Sequence, residues 1–376
     1  MTKAAELAKM GEVLTSSQIG GRRNIIINGA MQVAQRGTSS TDSNTYGTVD
    51  RLDSRINGQD NAVTQAQVDV SSGTTPYSLG FRKAFKYTNG NQSSGAGATD
   101  YLFAFYKIEA QDIVNSGWDY TSSSSHITIS FWVKASVSQN YYGYLRTPDG
   151  TAQKHSFETG TLTADTWTKV TKTFSGNSNI TIDNDTGSGL VWYLAPFLGT
   201  DYTDNSASLT AWEAYSSGYT RTPDSTSTWW TTNSATLEFT GLQLEVGEQA
   251  TPFEHRSFGE ELALCQRYFY RRLTDTSSQY LCDAFTTSST QVVGQVQFPV
   301  EMRAKPATTA DDLEDAQFRH EGGTNALDSF SGISGASAVY GVSIFVTTSG
   351  VTSGKTGFLR HGGESDAPAL NFDSEL

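Results

Sequence analysis

The chain is poor in the residues from which disulfide frameworks, metal centres and membrane anchors are built. It has two cysteines, Cys265 and Cys282, too few for a disulfide framework or a zinc site. Both read as small buried apolar residues. Charge is scarce at 17% of residues, and cations are scarcer still: 26 Lys and Arg stand against 39 Asp and Glu, for a net charge of −13. Phosphate backbones and anionic lipid demand a basic face, so neither nucleic acid nor charge-driven adhesion to anionic lipid is expected. No run of roughly eighteen apolar residues occurs, and no membrane insertion is expected. The opening MTKAAELAKMGEVL is amphipathic and lacks an apolar h-region, so it does not read as a secretory signal. The five histidines form no His-x-His, HExxH or Cys/His cluster, and no G-x-S-x-G elbow is present. The sequence GVTSGKT at 350–356 imitates a phosphate-binding loop but is one residue short between its glycines, and no helical pattern follows it.

What is present is aromatic and small-polar: seven Trp, seventeen Tyr and nineteen Phe in 376 residues, among abundant Ser, Thr, Asn, Gln and Gly. That mixture favours strands and turns, and the length allows two or three domains. Strand follows strand between residues 46 and 256. In 126–134, Ile127, Ile129, Phe131 and Val133 point one way and Thr128, Ser130, Trp132 and Lys134 the other, the period of a strand. The continuous apolar run 189–194 predicts a strand covered on both faces. In 235–246 the apolar phase slips from Leu237 and Phe239 to Leu242, Leu244 and Val246, which predicts a bulge at Gly241.

The expected fold is mainly β: a short N-terminal helix, a jelly-roll-like β-sandwich, one linking helix and a smaller C-terminal β-sandwich. Residues 1–45 supply the N-terminal helix and a short strand, 46–256 the sandwich, 257–273 the linking helix and 274–376 the C-terminal β-domain. The linking helix is read from a capping box at Ser257 and Glu260 and from an apolar stripe of Phe258, Leu262, Cys265, Phe269 and Leu273. Arg267, Arg271 and Arg272 would then complement its C-terminal dipole. The N-terminal helix, with Leu7, Met10 and Leu14 on one face, is too short to hold itself together in water. Together with the apolar strand Ile25, Ile26 and Ile27 it is the candidate anchor in a larger particle.

Two aromatic groups are candidate glycan contacts, since ring faces pack on sugar C–H groups and flanking polar tips meet hydroxyls. One is Trp229 and Trp230 with Tyr219 and Asp224. The other is Tyr141, Tyr142 and Tyr144, beside Arg146. Asp183 and Asp185, in TIDNDTGSG, offer hard oxygen ligands that suit a calcium ion. No other cofactor is expected, and no catalytic residues are assigned.

Several long segments resemble a family of bacteriophage virion proteins of the tail-fibre and structural type found in marine phages. They are GRRNIIINGAMQVAQRGT at 21–38 with VDR at 49–51, GLQLEVGEQATPFEHRSFGEELALCQRYFYR at 241–271, QFPVEMRAKP at 297–306 and the closing FDSEL at 372–376. Leu52 stands where relatives often carry Trp. The resemblance implies a virion component, homotrimeric, attached through its N-terminus to other tail or capsid proteins, with lectin-like sandwiches facing host surface polysaccharide. A tail fibre or receptor-binding fibre comes first, a capsid-attached head fibre or decoration protein second, and a polysaccharide depolymerase last. The resemblance brings no catalytic residues, because its shared motifs read as architectural.

Overall fold

The computed structural model describes residues 23–42, 44–215, 221–274, 279–311, 315–334, 338–363 and 367–376. The N-terminal helix expected from Leu7, Met10 and Leu14 lies outside the described residues, as does Tyr219. The chain divides into two compact units, Met1–Ser257 and Phe258–Leu376. Both are mainly β and antiparallel.

The first unit contains, among the described residues, β1 Ser39–Ser40, β2 Leu52–Asn57, β3 Thr64–Asp69, β4 Lys83–Thr88, β5 Tyr101–Glu109, β6 His126–Ala135, β7 Asn140–Thr147, β8 Gln153–Thr161, β9 Thr168–Ser175, β10 Ser188–Leu198, β11 Glu213–Ala214 and β12 Thr236–Val246. They form two six-stranded sheets, ordered β1-β3-β4-β12-β6-β9 and β11-β8-β7-β10-β5-β2. The inner faces meet in one apolar core. Phe131 of β6 lies 5.6 Å from Trp192 of β10, which lies 5.5 Å from Phe239 of β12. The alternation in β6 is borne out, with Ile127, Ile129, Phe131 and Val133 fully buried. So is the double coverage of β10: Leu190, Trp192 and Leu194 join the core, while Val191, Tyr193 and Ala195 belong to a separate apolar cluster on the other face.

The bulge in β12 is also where the sequence placed it. The register against β6 shifts between Thr240 and Gln243, and Gly241 adopts φ +67°. Leu237 and Phe239 before the bulge, and Leu242 and Leu244 after it, all reach the same core. The broken ladder is completed by the segment after Arg23. Ile25 N donates to Leu244 O and Leu242 N to Gly29 O, both at 2.9 Å. Backbone meets backbone so closely here that a Cβ on Gly29 would sit 2.0 Å from Leu242 O.

This pairing corrects two expectations. Residues 24–29 form no strand, because their backbone groups are divided among a bulge, a turn at Asn28 (φ 59°) and the Tyr106 hydroxyl, which receives Ile27 N at 2.9 Å. Nor are Ile25, Ile26 and Ile27 free to plug a particle: Ile26 and Ile27 are buried, and Ile25 packs against the sandwich core. Asn24 bonds Leu242 O, Ile26 N and Leu244 N. Glu254 accepts from Asn24 N at 2.7 Å, while Arg256 reaches Ile26 O at 3.0 Å and Asn24 O. Asn28 in turn bridges Val33 and Asp50. The described part of the first distinctive stretch, 23–38, together with 49–51 and 241–256, thus closes as a single polar clasp.

The second unit opens with the helix Phe258–Gln266. It is shorter than its apolar stripe suggested. Phe269 and Leu273 lie in β13 Phe269–Leu273, where an aromatic, β-favouring run pairs with the C-terminal strand. Phe258 is 56% exposed and Glu261 buried, so the helix does not present the expected stripe. Arg271 and Arg272, being in that strand, serve no helix dipole: Arg271 meets Asp311 at 3.2 Å and Arg272 donates to Leu281 O.

The remaining strands are β14 Tyr280–Thr286, β15 Gln291–Gln297, β16 Ala307–Asp311, β17 Ala316–His320, β18 Gly323–Ile333, β19 Gly341–Thr348, β20 Thr356–His361 and β21 Ala369–Asp373. The C-terminal domain closes as a barrel, β14-β15-β19-β18-β17-β20, beside a three-stranded sheet β13-β21-β16. Closure removes the free edges that two small open sheets would leave. The imitation phosphate loop leads into strand β20, and its Lys355 N donates to the Thr286 hydroxyl. Arg303, within QFPVEMRAKP, donates to Ser374 O and Glu375 O of the closing FDSEL.

Candidate functional site

The outer face of the second sheet of the first unit carries a row of side chains that antiparallel pairing places side by side. Asp53, Phe105, Tyr193, Tyr144 and Ser156 are direct cross-strand neighbours over β2, β5, β10, β7 and β8. The adjacent row is Lys107, Val191, Arg146, Lys154 and Glu213. Period two in the YYGYLRT of β7 builds this arrangement. Tyr142, Tyr144 and Arg146 point outward, while Tyr141 and Leu145 enter the core.

The rings stack. Tyr144 and Tyr193 lie 4.1 Å apart with planes 11° from parallel, and Tyr193 and Phe105 5.5 Å apart at 21°. Residues 199–215 and 221–226 fold back over this face as a flap. Tyr202 packs on Tyr101 at 5.1 Å, Tyr215 stacks on Tyr144 at 6.4 Å, and the Ser156 hydroxyl donates to Arg221 O at 2.7 Å. Guanidinium groups lie over ring faces: Arg146 is 4.1 Å from the centre of Tyr215, and Arg221 4.6 Å from Tyr202 and 5.6 Å from Phe103.

Burial pushes the Tyr144 hydroxyl well above its ordinary value; Tyr193 and Tyr215 push the same way, and the Arg221 and Arg146 charges oppose them. Burial raises Tyr193 likewise. At neutral pH these phenols are intact hydroxyls, able both to donate and to accept. The carboxylates of the face are engaged. Asp53 pairs with Arg55 at 2.7 Å, Glu158 receives Asn140 at 2.8 Å, and Glu213 receives Lys154 at 2.8 Å. Burial would raise Glu213, but the hydrogen bond and charge of Lys154 hold it below the usual carboxylate range.

The expected glycan residues are thereby sorted. Tyr144 and Tyr142 belong to the outer face, Tyr144 buried beneath the flap at 2% exposure and Tyr142 half-buried. Tyr141 does not: it is 1% exposed and donates to Val137 O. Trp229 and Trp230 are a correction, since both are fully buried. The single-turn helix Thr228–Thr231 turns the two indoles into the core, one N–H reaching Thr236 O and the other Gly95 O, and Trp230 stacks on Phe197 at 5.4 Å. Asp224 is a clamp within the flap, accepting from Thr203 and Asn205 at 2.7 Å each. Phe103, Phe105 and Tyr193 were not singled out in the sequence. The apolar run through β10 marked a second buried face, and that was their one signal.

Asp183 and Asp185 are exposed in a turn. Asp183 N donates to the Asp149 carboxylate at 3.0 Å, and Asp185 accepts from Gly187 N at 2.8 Å. Among the described residues, no group of three or more His, Cys, Asp or Glu is arranged to hold a metal ion. None of the helices there is long and apolar enough to cross a membrane.

No protein-family model matches the chain, and no curated protein matches it in sequence. Among solved structures it is similar to a tailspike protein of bacteriophage CBA120, at 9% identity over 60% of this chain and 22% of that one, with a TM-score of 0.32. It is also similar to a putative sugar binding protein from Bacteroides thetaiotaomicron, at 12% identity over 60% of this chain and all of that one, with a TM-score of 0.29. The N-terminal cellulose-binding domain of a Cellulomonas fimi β-1,4-glucanase gives 10% identity over 58% of this chain and 99% of the domain, with a TM-score of 0.26. The chain therefore spans about a fifth of the tailspike's length (22%) and nearly the whole of the two sugar-binding structures. Likenesses of this size carry no functional argument, which rests on the geometry of the outer face.

Proposed function

We propose that the chain is a non-enzymatic virion protein, a tail or receptor-binding fibre, that holds host surface polysaccharide on the outer face of its second sheet. The observation that carries the binding is the layered aromatic face, in which buried Phe105, Tyr193 and Tyr144 underlie half-buried Tyr142, Tyr202 and Tyr215, with Arg146 against Tyr215 and Arg221 against Tyr202. It offers flat apolar rings beside neutral hydroxyls and fixed cations, which is what a pyranose ring with its axial C–H groups and equatorial hydroxyls requires. The carboxylates of the face are tied into ion pairs and amide contacts, so none stands ready as a free acid–base couple for glycoside cleavage. The virion assignment rests on the sequence resemblance, whose described residues at 23–38 and 241–256 are engaged in closing the first unit and lie apart from the outer face. A homotrimer goes with it. Of six large exposed apolar side chains among the described residues, five lie in the second unit: Phe258, Leu273, Tyr280, Phe285 and Tyr340. That is where subunits would join.

Full-length protein incubated with host capsular polysaccharide or lipopolysaccharide is expected to retain the polymer at its original length. Shortened products would overturn the non-enzymatic reading, and no retention would overturn the binding one. Gold-labelled antibody on intact virions tests the location. Light scattering at the monomer mass of 40.7 kDa would refute the trimer.

A further inference from the structure

Arg146 and Arg221 are guanidinium groups without a carboxylate partner among the described residues, in a chain that has 39 acidic side chains for 26 basic ones. Their neighbours on the same sheet are paired, Arg55 with Asp53 and Lys154 with Glu213. Other cations of the unit that are partly buried are paired too, Lys134 with Glu238 at 3.0 Å and Arg256 with Glu254 at 3.2 Å. Exposed cations such as Arg82 and Lys169 are solvated by water without a carboxylate partner, whereas a guanidinium buried without one needs a cause. Both side chains are half-buried. Arg146 Nε and Arg221 Nε and Nη1 are buried with no hydrogen-bond partner, a standing cost for charged donors. Ring stacking fixes the plane of each guanidinium, so its N–H groups lie along the edge, where Arg146 also meets the Tyr193 hydroxyl. The hydroxyls of Tyr144 and Tyr193 lie within the same field of charge and remain protonated.

We propose that Arg146 and Arg221 receive the carboxylate of an acidic sugar, so that the face takes a uronate-bearing polysaccharide and discriminates against neutral glycans. This rests on the carbohydrate reading of the same face. A guanidinium edge presents two parallel N–H groups at the spacing of a carboxylate's two oxygens. A uronate carries that group directly on the pyranose ring, so one residue can stack on tyrosine while its carboxylate meets an arginine. The net charge of −13 works against polyanions at long range, but at physiological salt charges beyond about 8 Å are screened, and a contact pair survives.

The test uses full-length protein in about 0.15 M salt and affinity electrophoresis against polygalacturonate, alginate and hyaluronan. Each polymer is compared with its carboxyl-reduced form, and dextran sulfate serves as a general polyanion. At least one uronate polymer is expected to bind, with its carboxyl-reduced form weaker by about tenfold or more. Arg146→Gln and Arg221→Gln should each weaken that binding by a similar factor, while Lys169→Gln, an exposed cation on the other sheet, should leave it unchanged. Unaltered melting of each variant shows that it folds, and if one does not, the other reports. Equal binding of the native and carboxyl-reduced polymers overturns this inference and leaves the carbohydrate reading standing. Dextran sulfate bound as tightly as the uronate, with Arg221→Lys equal to the parent, overturns it in favour of plain charge attraction. Retention of no polymer, acidic or neutral, overturns both.

Discussion

Gly241→Ala is the substitution that most directly probes how the sandwich is closed. The residue sits at φ +67°, where an L side chain costs about 1–2 kcal/mol. The added Cβ would also lie 2.6 Å from Cζ and 2.9 Å from Cε1 of Phe81. That ring has no slack: it is 1% exposed and wedged against Phe253 at 4.9 Å and His255 at 5.1 Å. Overpacking of this kind costs about 1–3 kcal/mol. The restricted unfolded chain returns about 0.4–1 kcal/mol. The net loss is roughly 1–4.6 kcal/mol, or a melting temperature lower by roughly 2–18 °C at about 2–4 °C per kcal/mol for a domain of this size. All seven tryptophans fall within Met1–Ser257, so tryptophan fluorescence follows the first unit alone. A paired control is Gly259→Ala in the helix of the second unit, where an added Cβ meets nothing within 4 Å. It should stabilise that unit by about 0.5–1 kcal/mol, read by calorimetry. A Gly241→Ala protein whose fluorescence melt matches the parent would refute the argument that the bulge demands glycine.

Asn24→Ala removes three hydrogen bonds of a side chain only 1% exposed and strands Leu242 O, Ile26 N and Leu244 N; the first unit should lose about 2–4 kcal/mol in urea unfolding, and a loss within error of zero would discard the clasp. Burial pushes the Cys282 thiol up to about 12, so a thiolate-specific reagent at pH 8 should label it only on unfolding, and prompt labelling of the native chain would contradict its burial. His155, between Phe174 at 4.7 Å and Trp212 at 5.5 Å, is lowered by burial from its ordinary value of 6.5. The unfolded chain therefore takes up this proton first, and stability should fall as pH drops below about 6.5 towards the folded value. His155→Phe should flatten that limb of the stability curve, and an unchanged slope would reject the assignment.

Strand periods were legible because one buried face imposes them. The slip at Gly241 was legible for the same reason, since a one-residue shift would otherwise expose Leu242 and Leu244. The mainly β fold followed from the same alternation. The direction of aromatic side chains was not legible. Trp229 and Trp230 are adjacent, and in a strand one of them would face outward; a single helical turn hides both, and nothing in four residues announces it. Tyr141, Tyr142 and Tyr144 were grouped by proximity, whereas period two divides them between core and outer face. The helix was overextended because Phe269 and Leu273 keep a helical spacing by chance, and strand pairing with residues about a hundred positions away, Asp373 and Ala369, outweighs it. The clasp was invisible because its partners are distant in the chain: Asn24 and Leu244 are 220 positions apart.

The most distinctive text and the candidate binding surface are therefore different parts of the molecule, and packing explains why. Residues 24–28 hold backbone groups that strand pairing does not satisfy, and side chains of 243–245 and 254–256 supply their partners or are held by them, so each must keep one particular donor or acceptor. A change there leaves an orphan in the core. The outer face stands under another constraint. Phe105, Tyr193 and Tyr144 pack against a flap pinned by Asp224 through Thr203 and Asn205, while the sandwich core on the far side of the same strands is filled by Ala104, Trp192 and Leu145. Substituting an outer residue costs contacts with the flap and leaves that core packed, because successive side chains of a strand enter different layers. A protein built this way can alter the rings and guanidiniums of one face while the clasp that closes its sheets stays as it is.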